Sequence, residues 1–351
     1  MKDSKPEYVV NSSAPIRICD LGGWTDTWFA GYGCVFNIGV QPRVEVQLAI
    51  YPAHLREHHI VINAENFGER YALPAGGRGS GGDWIRHPLL EAVIEAVPPP
   101  ADIAIEATIY SVVPAGASTG TSAAVAVALI SALDQLTPGR MTSHEIAVAA
   151  LRVEAEILNQ QSGVQDQLCS AYGGLNHITV DHYPHATVSQ IQLPDDVWWE
   201  LERRLVLIYL GDTHQSTQVH EMVIRDLEGA GPNDTRLEEL RQTAPIARDA
   251  LLQGDFAAFG QAMIRNNDAQ KCLHPSLISA DAERVIEIVR DHDAIGWKVN
   301  GAGGEGGTLT VLCSLASSTK HAMIREIEGV DLKFRNIPIS LSRDGLRVWR
   351  K

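Results

Sequence analysis

A run of small residues offers the first chemistry in this sequence. Residues 113–124 contain little besides glycine, alanine, serine and threonine, and an apolar helix is predicted over 123–136. With no large side chains in the way, backbone N–H groups at the start of that helix can turn toward an anion such as phosphate. A plain strand-to-helix turn is an equal alternative for these residues taken alone. Hydroxyl groups that can add contacts to phosphate or Mg²⁺ come from Ser118, Thr119, Thr121 and Ser122.

Carboxylates further along the chain could complete a phosphoryl-transfer site, which needs charge neutralisation and a group that orients the nucleophile. The small-residue run lacks the terminal Lys of a Walker A loop, so Mg²⁺ or a distant cation must supply positive charge. Glu154, on a predicted helix over 146–159, and Ser122 offer the hard oxygen ligands that Mg²⁺ takes. Glu156 is an alternative on a different helix face. Asp166 lies in a loop, where an Asp is usually a cap and a catalytic base is the second interpretation.

Three motifs in order resemble those of the GHMP kinases, the family of galactokinase, homoserine kinase, mevalonate kinase and phosphomevalonate kinase. The first motif is residues 15–26, the second is 114–123 and the third is 298–307. Three positions of the second motif differ from the family pattern. In the third motif, Glu305 interrupts a run that is usually all glycine, which leaves the backbone geometry of that loop open.

The resemblance implies an enzyme that uses ATP and Mg²⁺ to phosphorylate a small molecule. It implies that Asp166 takes the proton of the acceptor hydroxyl and that Arg17 counters charge near the transferring phosphoryl group. A structural salt bridge is the alternative role of Arg17. Glu154 and Ser122 are the Mg²⁺ ligands that it implies. The residues expected to hold the nucleotide are Pro114, Gly116, Ala117, Ser118, Thr119, Gly120, Thr121 and Ser122.

Residues 22–27 are similar to a branch of the family that contains fucokinases and heptose-7-phosphate kinases. That similarity implies ATP-dependent phosphorylation of the anomeric hydroxyl of a sugar or sugar phosphate, with a non-sugar alcohol as the alternative acceptor. Asp26 is expected to accept hydrogen bonds from sugar hydroxyls. Trp24 either stacks on a sugar face or belongs to the core, and Lys271 either contacts a substrate phosphate or is a surface lysine. The expected substrate contacts are Gly23, Trp24, Thr25, Asp26, Gly173, Gly174, Lys271 and Gly303.

The order of predicted elements and the resemblance together indicate an α+β fold of two domains, residues 1–190 and 191–351. By resemblance, the first domain has a ribosomal-protein-like fold with a left-handed crossover, and it carries the phosphate loop and the sugar site. The second domain is expected to be ferredoxin-like and to carry the third motif. Thr142 and Glu145 have capping-box spacing ahead of a helix. Residues 181–194 are predicted to cross between the two halves.

Composition argues against several classes of function. A net charge of −14 disfavours a nucleic-acid partner, which binds a basic surface. No apolar run approaches the roughly 20 residues that cross a bilayer, and the N-terminus lacks the apolar core of a signal peptide. The five dispersed cysteines indicate reduced thiols. We therefore expect a cytoplasmic monomer or homodimer that binds a small-molecule substrate and neither nucleic acid nor a membrane.

Two other functions remain as alternatives. Residues 301–306 match the dinucleotide-binding pattern Gly-x-Gly-x-x-Gly, but a strand is predicted at 309–313, where that fingerprint requires a helix. A NAD-dependent dehydrogenase is therefore disfavoured. A non-catalytic sensor of sugar and nucleotide on the same fold would have lost its base, whereas Asp166, Glu154 and Ser122 are all present.

Overall fold

The computed structural model describes residues 5–74, 83–114, 116–211, 216–314 and 317–351. The strands are β1 Tyr8–Leu21, β2 Gly33–Pro52, β3 Ile60–Ala64, β4 Glu69–Leu73, β5 Ile103–Ser111, β6 Leu175–His182, β7 His185–Ile191, β8 Leu205–Gly211, β9 Gly296–Val299, β10 Gly307–Leu312, β11 Arg335–Ile337, β12 Ser340–Leu341 and β13 Arg347–Arg350. The α-helices are α1 Pro88–Ala96, α2 Thr121–Asp134, α3 Ser143–Arg152, α4 Gln165–Tyr172, α5 Asp195–Arg204, α6 Ser216–Ala230, α7 Thr235–Leu252, α8 Phe256–Leu273, α9 Ala280–Asp291 and α10 Ser317–Val330.

Within these ranges the strands form two sheets. The larger sheet has the order β13-β1-β2-β5-β3-β4, with β6 and β12 pairing with β2 and β7 pairing with β6. Its pairs are antiparallel except β3 with β5. The smaller sheet has the order β11-β8-β10-β9. The fold is therefore of mixed α and β type, as the sequence predicts.

The proposed division at residue 190 stays a prediction, and one feature of the chain path bears on it. Strands β12 and β13, which belong to the predicted second domain, pair with β2 and β1 of the larger sheet. The chain therefore returns to the first sheet after it has built the second one.

Helix α2 lies at the centre of the first core, where it contacts β1, β2, α1, α3 and α4. Small side chains allow this close approach: Ala124, Ala126 and Ala128 are fully buried, as are Leu129 and Ile130. Burial of a Leu or Ile side chain stabilises the fold by about 2 kcal/mol. Because α2 is held on all sides, its N-terminal end is a rigid support for the loop before it.

Two local predictions from the sequence have different outcomes. The capping box at Thr142 and Glu145 is confirmed: each side chain bonds the backbone N–H of the other residue. The prediction that 181–194 crosses between the halves is wrong for most of that segment. Instead, β7 pairs antiparallel with β6. A two-residue turn at 183–184 joins the two strands into a hairpin, as antiparallel neighbours allow.

The smaller sheet packs against α9 and α10 through a second apolar cluster that includes Val285, Val289, Leu309, Val311 and Ile327. Across the described part of the chain, we find no helix that combines the length and the apolarity required to span a bilayer.

Candidate active site

The second motif forms a tight turn that ends at the first residue of α2. Ser118 and Gly120 have φ values of 55° and 67°, in the left-handed region. Gly120 is the N-cap of α2 and has no side chain to satisfy the first N–H groups of the helix, which leaves them available to a ligand. A Cβ atom at Gly120 would lie 3.1 Å from Cγ of Asp166 and 3.3 Å from Cγ of Arg17. Glycine therefore allows the loop to approach these two side chains.

Asp166, the second residue of α4, is held opposite the loop by Arg17 of β1. Nε of Arg17 donates to Oδ1 of Asp166 at 2.7 Å, and Nη2 donates to Oδ2 at 3.2 Å. Nη1 donates to the carbonyl of Ser118 at 2.5 Å. Burial opposes the charge of Arg17, but the carboxylates of Asp166 and Asp20 outweigh it and raise the pKa of the guanidinium. One cation thus connects the first motif, the loop and the candidate base.

Asp20 connects the first motif to the third. Both of its carboxylate oxygens accept from the backbone N–H of Gly301 at 3.1 Å. Oδ1 lies 3.7 Å from Nη1 of Arg17 and 3.8 Å from Nζ of Lys298. Burial lowers the pKa of Lys298, and the Asp20 carboxylate opposes that shift. No sequence pattern assigned a role to Asp20 or Lys298, although charged residues inside apolar strands usually require a partner.

The third motif is a loop between β9 and β10, and Glu305 does not disturb it. Glu305 is exposed and its φ is not positive, so a side chain there introduces no left-handed strain. Because β9 and β10 are antiparallel neighbours, the loop joins two strands and is not the strand-to-helix turn of a dinucleotide-binding site. Its positive-φ residues are Gly301, Gly303, Gly304, Gly306 and Gly307.

Glu154 is buried behind the loop, in a π-helical turn at Val153–Ile157 that follows α3. Its Oε2 accepts from Oγ of Ser162 at 2.9 Å and from Nε2 of Gln167 at 2.6 Å. Its Oε1 is buried and has no hydrogen-bond partner in the described structure. Burial raises the pKa of Glu154 to about 7, against the opposing effects of the hydrogen bonds from Ser162 and Gln167 and of the nearby hydroxyl of Ser122.

This arrangement fits a magnesium ion. The unpaired Oε1 of Glu154 and the hydroxyl of Ser122 are hard oxygen donors beside the phosphate loop, and Mg²⁺ typically takes one or two carboxylates together with water and phosphate. No group of three or more His, Cys, Asp and Glu side chains could hold a metal among the residues described. Glu156 instead points to solvent and pairs with Arg152 at 3.2 Å.

A cavity of about 530 Å³ opens in front of the loop, within the range of about 300–1,000 Å³ that is usual for small-molecule sites. All of the residues predicted to hold the nucleotide line it except Pro114. Phe67 and His87 also line this cavity, and the centroids of their rings lie 4.8 Å apart. No sequence pattern marked these two residues, because the turn between β3 and β4 that carries Phe67 and the start of α1 meet at the cavity only through the fold. Further apolar lining residues are Pro88, Leu89, Leu90, Ile109 and Val125.

A second cavity of about 180 Å³ adjoins the first. It is lined by Asp26 and Trp24 of the first motif, by Gln161 and Gln165 near α4, and by Thr27, Trp28, Phe29, Gly163 and Ile224. Some residues line both cavities, and Asp166 is among them. The candidate base therefore lies where the two spaces meet. The shared residues are Arg17, Asp166, His220, Gly301 and Ala302.

Asp26 and Trp24 are in the second cavity, where the sequence places the sugar. Oδ2 of Asp26 accepts the backbone N–H of Gln165 at 3.0 Å. Burial raises the pKa of Asp26 to about 6, against the opposing effect of that hydrogen bond. The Trp24 ring lies edge-on to the His220 ring at 5.8 Å and is 7% exposed, so Trp24 both belongs to the core and lines the cavity.

Lys271 and the Gly173–Gly174 turn do not line either cavity, contrary to the geometry expected of substrate contacts. Lys271 lies on the exposed face of α8 and donates to Glu283 at 2.5 Å. Gly174 donates its N–H to the carbonyl of Ser342 at 2.6 Å. The two glycines allow close packing against the C-terminal segment. They follow the far end of α4, about 10 Å from Asp166 along the helix axis. Their role as substrate contacts stays a prediction without geometric support.

Gly23 and Thr25 also lie outside the described lining of both cavities, and they shape the first motif instead. Oγ1 of Thr25 donates to the carbonyl of Gly22 at 2.7 Å and accepts the N–H of Cys34 at 3.2 Å. Gly303 lines the larger cavity.

Residues 88–174 match the family model described as GHMP kinases N terminal domain. This match covers the phosphate loop, Glu154 and Asp166, so the family assignment rests on the same residues that build the site.

Relatives that align over longer stretches of the chain are named as kinases. The chain is 24% identical over 241 residues to D-glycero-alpha-D-manno-heptose 7-phosphate kinase of Campylobacter jejuni, with 69% of each chain covered. It is 23% identical over 377 residues to L-fucokinase/L-fucose-1-P guanylyltransferase of Bacteroides fragilis, covering 99% of this chain and 39% of that longer protein. It is 26% identical over 271 residues to mevalonate kinase of Pyrococcus abyssi, covering 76% of this chain and 74% of the relative.

Solved structures share the fold. A D-glycero-D-manno-heptose 1-phosphate kinase from Bacteroides thetaiotaomicron superposes with a TM-score of 0.70 at 21% identity, covering 97% of this chain and 98% of the other. Mevalonate kinase of Methanococcus jannaschii superposes with a TM-score of 0.72 at 16% identity, covering 97% and 100%. At these identities the structural likeness supports the fold alone. Residues 88–174 thus form a GHMP kinases N-terminal domain, and together with the relatives they indicate a small-molecule kinase.

Proposed function

We propose that this protein catalyses the ATP-dependent phosphorylation of the anomeric hydroxyl of a sugar or sugar phosphate. The larger cavity with the phosphate loop suits ATP, and the smaller cavity with Asp26 suits the acceptor. The observation that carries the proposal is the position of Asp166 and Arg17, which pair with each other, line both cavities and adjoin the loop, where the Arg17 backbone N–H donates to the carbonyl of Thr119 at 2.9 Å.

Asp166 would orient the acceptor hydroxyl and take its proton as the oxygen forms a bond to the terminal phosphorus of ATP. The bond from that phosphorus to the leaving oxygen of ADP breaks in the same transfer. Arg17 fixes both carboxylate oxygens of Asp166, whose side chain is 27% exposed and so open to a ligand. The N–H groups at the start of α2 would hold phosphate oxygens.

Ser122 and Glu154 would hold Mg²⁺, which supplies charge neutralisation for the phosphates when bound. The unpaired Oε1 of Glu154 supports this assignment. Glu156 is unsuited, because its carboxylate is exposed and engaged with Arg152.

A sugar acceptor is supported by relatives named for heptose 7-phosphate and fucose, and by the buried Asp26 carboxylate, which can accept hydrogen bonds from neighbouring hydroxyls. A non-sugar alcohol is the second candidate, since mevalonate kinases are also relatives over most of the chain. A non-catalytic sensor is disfavoured because Asp166 and Arg17 are in place.

The test is a kinase screen with MgATP against free sugars, sugar phosphates, mevalonate and homoserine, read by the ³¹P resonance of an anomeric phosphate. Asp166→Asn should retain ATP binding by calorimetry and lose about 100-fold or more of kcat. Phosphorylation confined to a non-sugar alcohol, or full activity of Asp166→Asn, would contradict the proposal.

A further inference from the structure

The smaller cavity is acidic. Asp26 and Asp166 both line it. Asp26 is 1% exposed, and the side chain of Asp166 is 27% exposed. Trp28 also lines this cavity, and its Nε1 donates to Oε1 of Glu228, which is not among the lining residues, at 2.8 Å. An acceptor that carries its own negative charge would meet repulsion here unless a cation lies at the same place.

The described residues that line this cavity include one Lys or Arg, and that residue is Arg17. Its Nε and Nη2 already donate to Asp166, and its Nη1 donates to the carbonyl of Ser118. His220 is no substitute: burial lowers its pKa, and its Nε2 donates to the carbonyl of Gly303 at 3.0 Å. The cation is therefore committed, and the Nε2 atom of the imidazole is engaged with a carbonyl.

Arg17 also lies at the wrong end of the sugar to pair with a phosphate that the acceptor already carries. If the anomeric hydroxyl lies at Asp166, then Arg17 lies at the anomeric end of the sugar, and a phosphate on the terminal carbon lies at the opposite end. Lys271, the sequence-based candidate for a substrate phosphate, pairs with Glu283 and does not line the cavity.

A phosphate monoester carries a charge of about −1.5 to −2 at neutral pH and is usually held by arginines or by several N–H donors. Moving it into a cavity that has two carboxylates and one cation, which already pairs with one of them, loses hydration without replacement. We propose that the acceptor is an uncharged polyhydroxylated sugar and not a sugar phosphate. This inference rests on the proposed function and chooses between the two acceptor classes that it leaves open.

The experiment compares each free sugar with its own terminal phosphate ester, beginning with D-glycero-D-manno-heptose and its 7-phosphate, and adds L-fucose as a free sugar. Binding is measured by calorimetry without nucleotide, and kcat/KM with MgATP. We expect the free member of a pair to bind at least tenfold more tightly and to have at least tenfold higher kcat/KM.

Gln161 offers a matched pair of variants, because it is exposed and lines the smaller cavity. Gln161→Arg supplies a new cation and should improve binding of the phosphate ester relative to the free sugar by at least threefold, and salt should weaken that gain. Gln161→Met, of similar size and without charge, should leave the ratio as in the wild type.

The outcomes separate the two proposals. Equal or tighter binding of the phosphate ester by the wild-type protein overturns the neutral-acceptor inference and leaves a sugar kinase. Phosphorylation of a non-sugar alcohol alone, with neither member of any sugar pair bound, overturns the proposed function and this inference with it.

Discussion

The contact between Gly120 and the Arg17–Asp166 pair predicts the effect of one methyl group. In Gly120→Ala, the new Cβ would lie 3.1 Å from Cγ and from Oδ2 of Asp166 and 3.3 Å from Cγ of Arg17. These contacts are tighter than ordinary van der Waals distances. Asp166 cannot simply rotate away, because two hydrogen bonds from Arg17 at 2.7 and 3.2 Å hold it.

Gly120→Ala should have two separable effects, one on the free energy of unfolding and one on kcat. Placing alanine at φ 67° costs about 1–2 kcal/mol of free energy of unfolding, because L residues disfavour the left-handed region. Displacing Asp166 by a few tenths of an ångström should in addition lower kcat by about 10- to 100-fold, because phosphoryl transfer depends on placement of the nucleophile. The second effect is specific to the site.

Gly139→Ala is the matched control. Gly139 has φ 88°, a Cβ atom added there would have nothing within 4 Å, and the residue lies beyond the far end of α2. Urea denaturation should show a similar loss of stability for both variants, and kcat should fall for Gly120→Ala alone. If Gly120→Ala is destabilised as expected but retains the kcat of Gly139→Ala, the loop does not control the position of Asp166 and the reasoning is refuted.

Three further predictions concern buried charges. Glu154→Gln should raise the Mg²⁺ concentration for half-maximal activity by about tenfold or more, while Glu156→Gln should not; equal effects would contradict the assignment. Burial raises the pKa of Asp26 from 3.8 to about 6, so the folded state binds its proton more tightly and stability falls as pH rises through that window. Asp26→Asn should therefore be more stable than wild type by up to about 3 kcal/mol near pH 8, with no difference near pH 4 in urea titrations; a constant difference would refute this. Asp20→Asn should lose about 3–5 kcal/mol of unfolding free energy, because the buried Lys298 loses its carboxylate partner. Adding Lys298→Met should restore part of that loss. A double variant less stable than Asp20→Asn alone would contradict a charge-pair origin.

Local sequence signals found the parts of the site that local structure builds. The turn at 118–120 depends on left-handed backbone positions that small residues tolerate, and α2 follows from a run of apolar residues. The capping box at Thr142 and Glu145 is likewise set by residues three apart. These predictions succeed because the physical cause lies within one or two helical turns.

Other features were not predictable in this way. The pairing of Asp20 with Gly301 joins residues 281 apart in the chain. Phe67 and His87 meet only because the fold brings the turn between β3 and β4 next to the start of α1. The assignment of Lys271 as a phosphate contact followed its position in the sequence, whereas its side chain is turned to Glu283 at the surface.

The sequence by itself determined which chemistry could be predicted for this protein: a loop of small and hydroxyl residues before a helix, a carboxylate beyond it and three motifs that resemble those of one kinase family in order. Backbone preferences and residue types encode these features locally, so they can be identified without coordinates. The tertiary structure decided which groups act together. It placed Arg17 against Asp166 across 149 residues, buried Glu154 and exposed Glu156, and left the smaller cavity with one committed cation among its described lining residues. Such pairings depend on how the whole chain buries its apolar surface, because that packing fixes the distances and the exposure of charged groups.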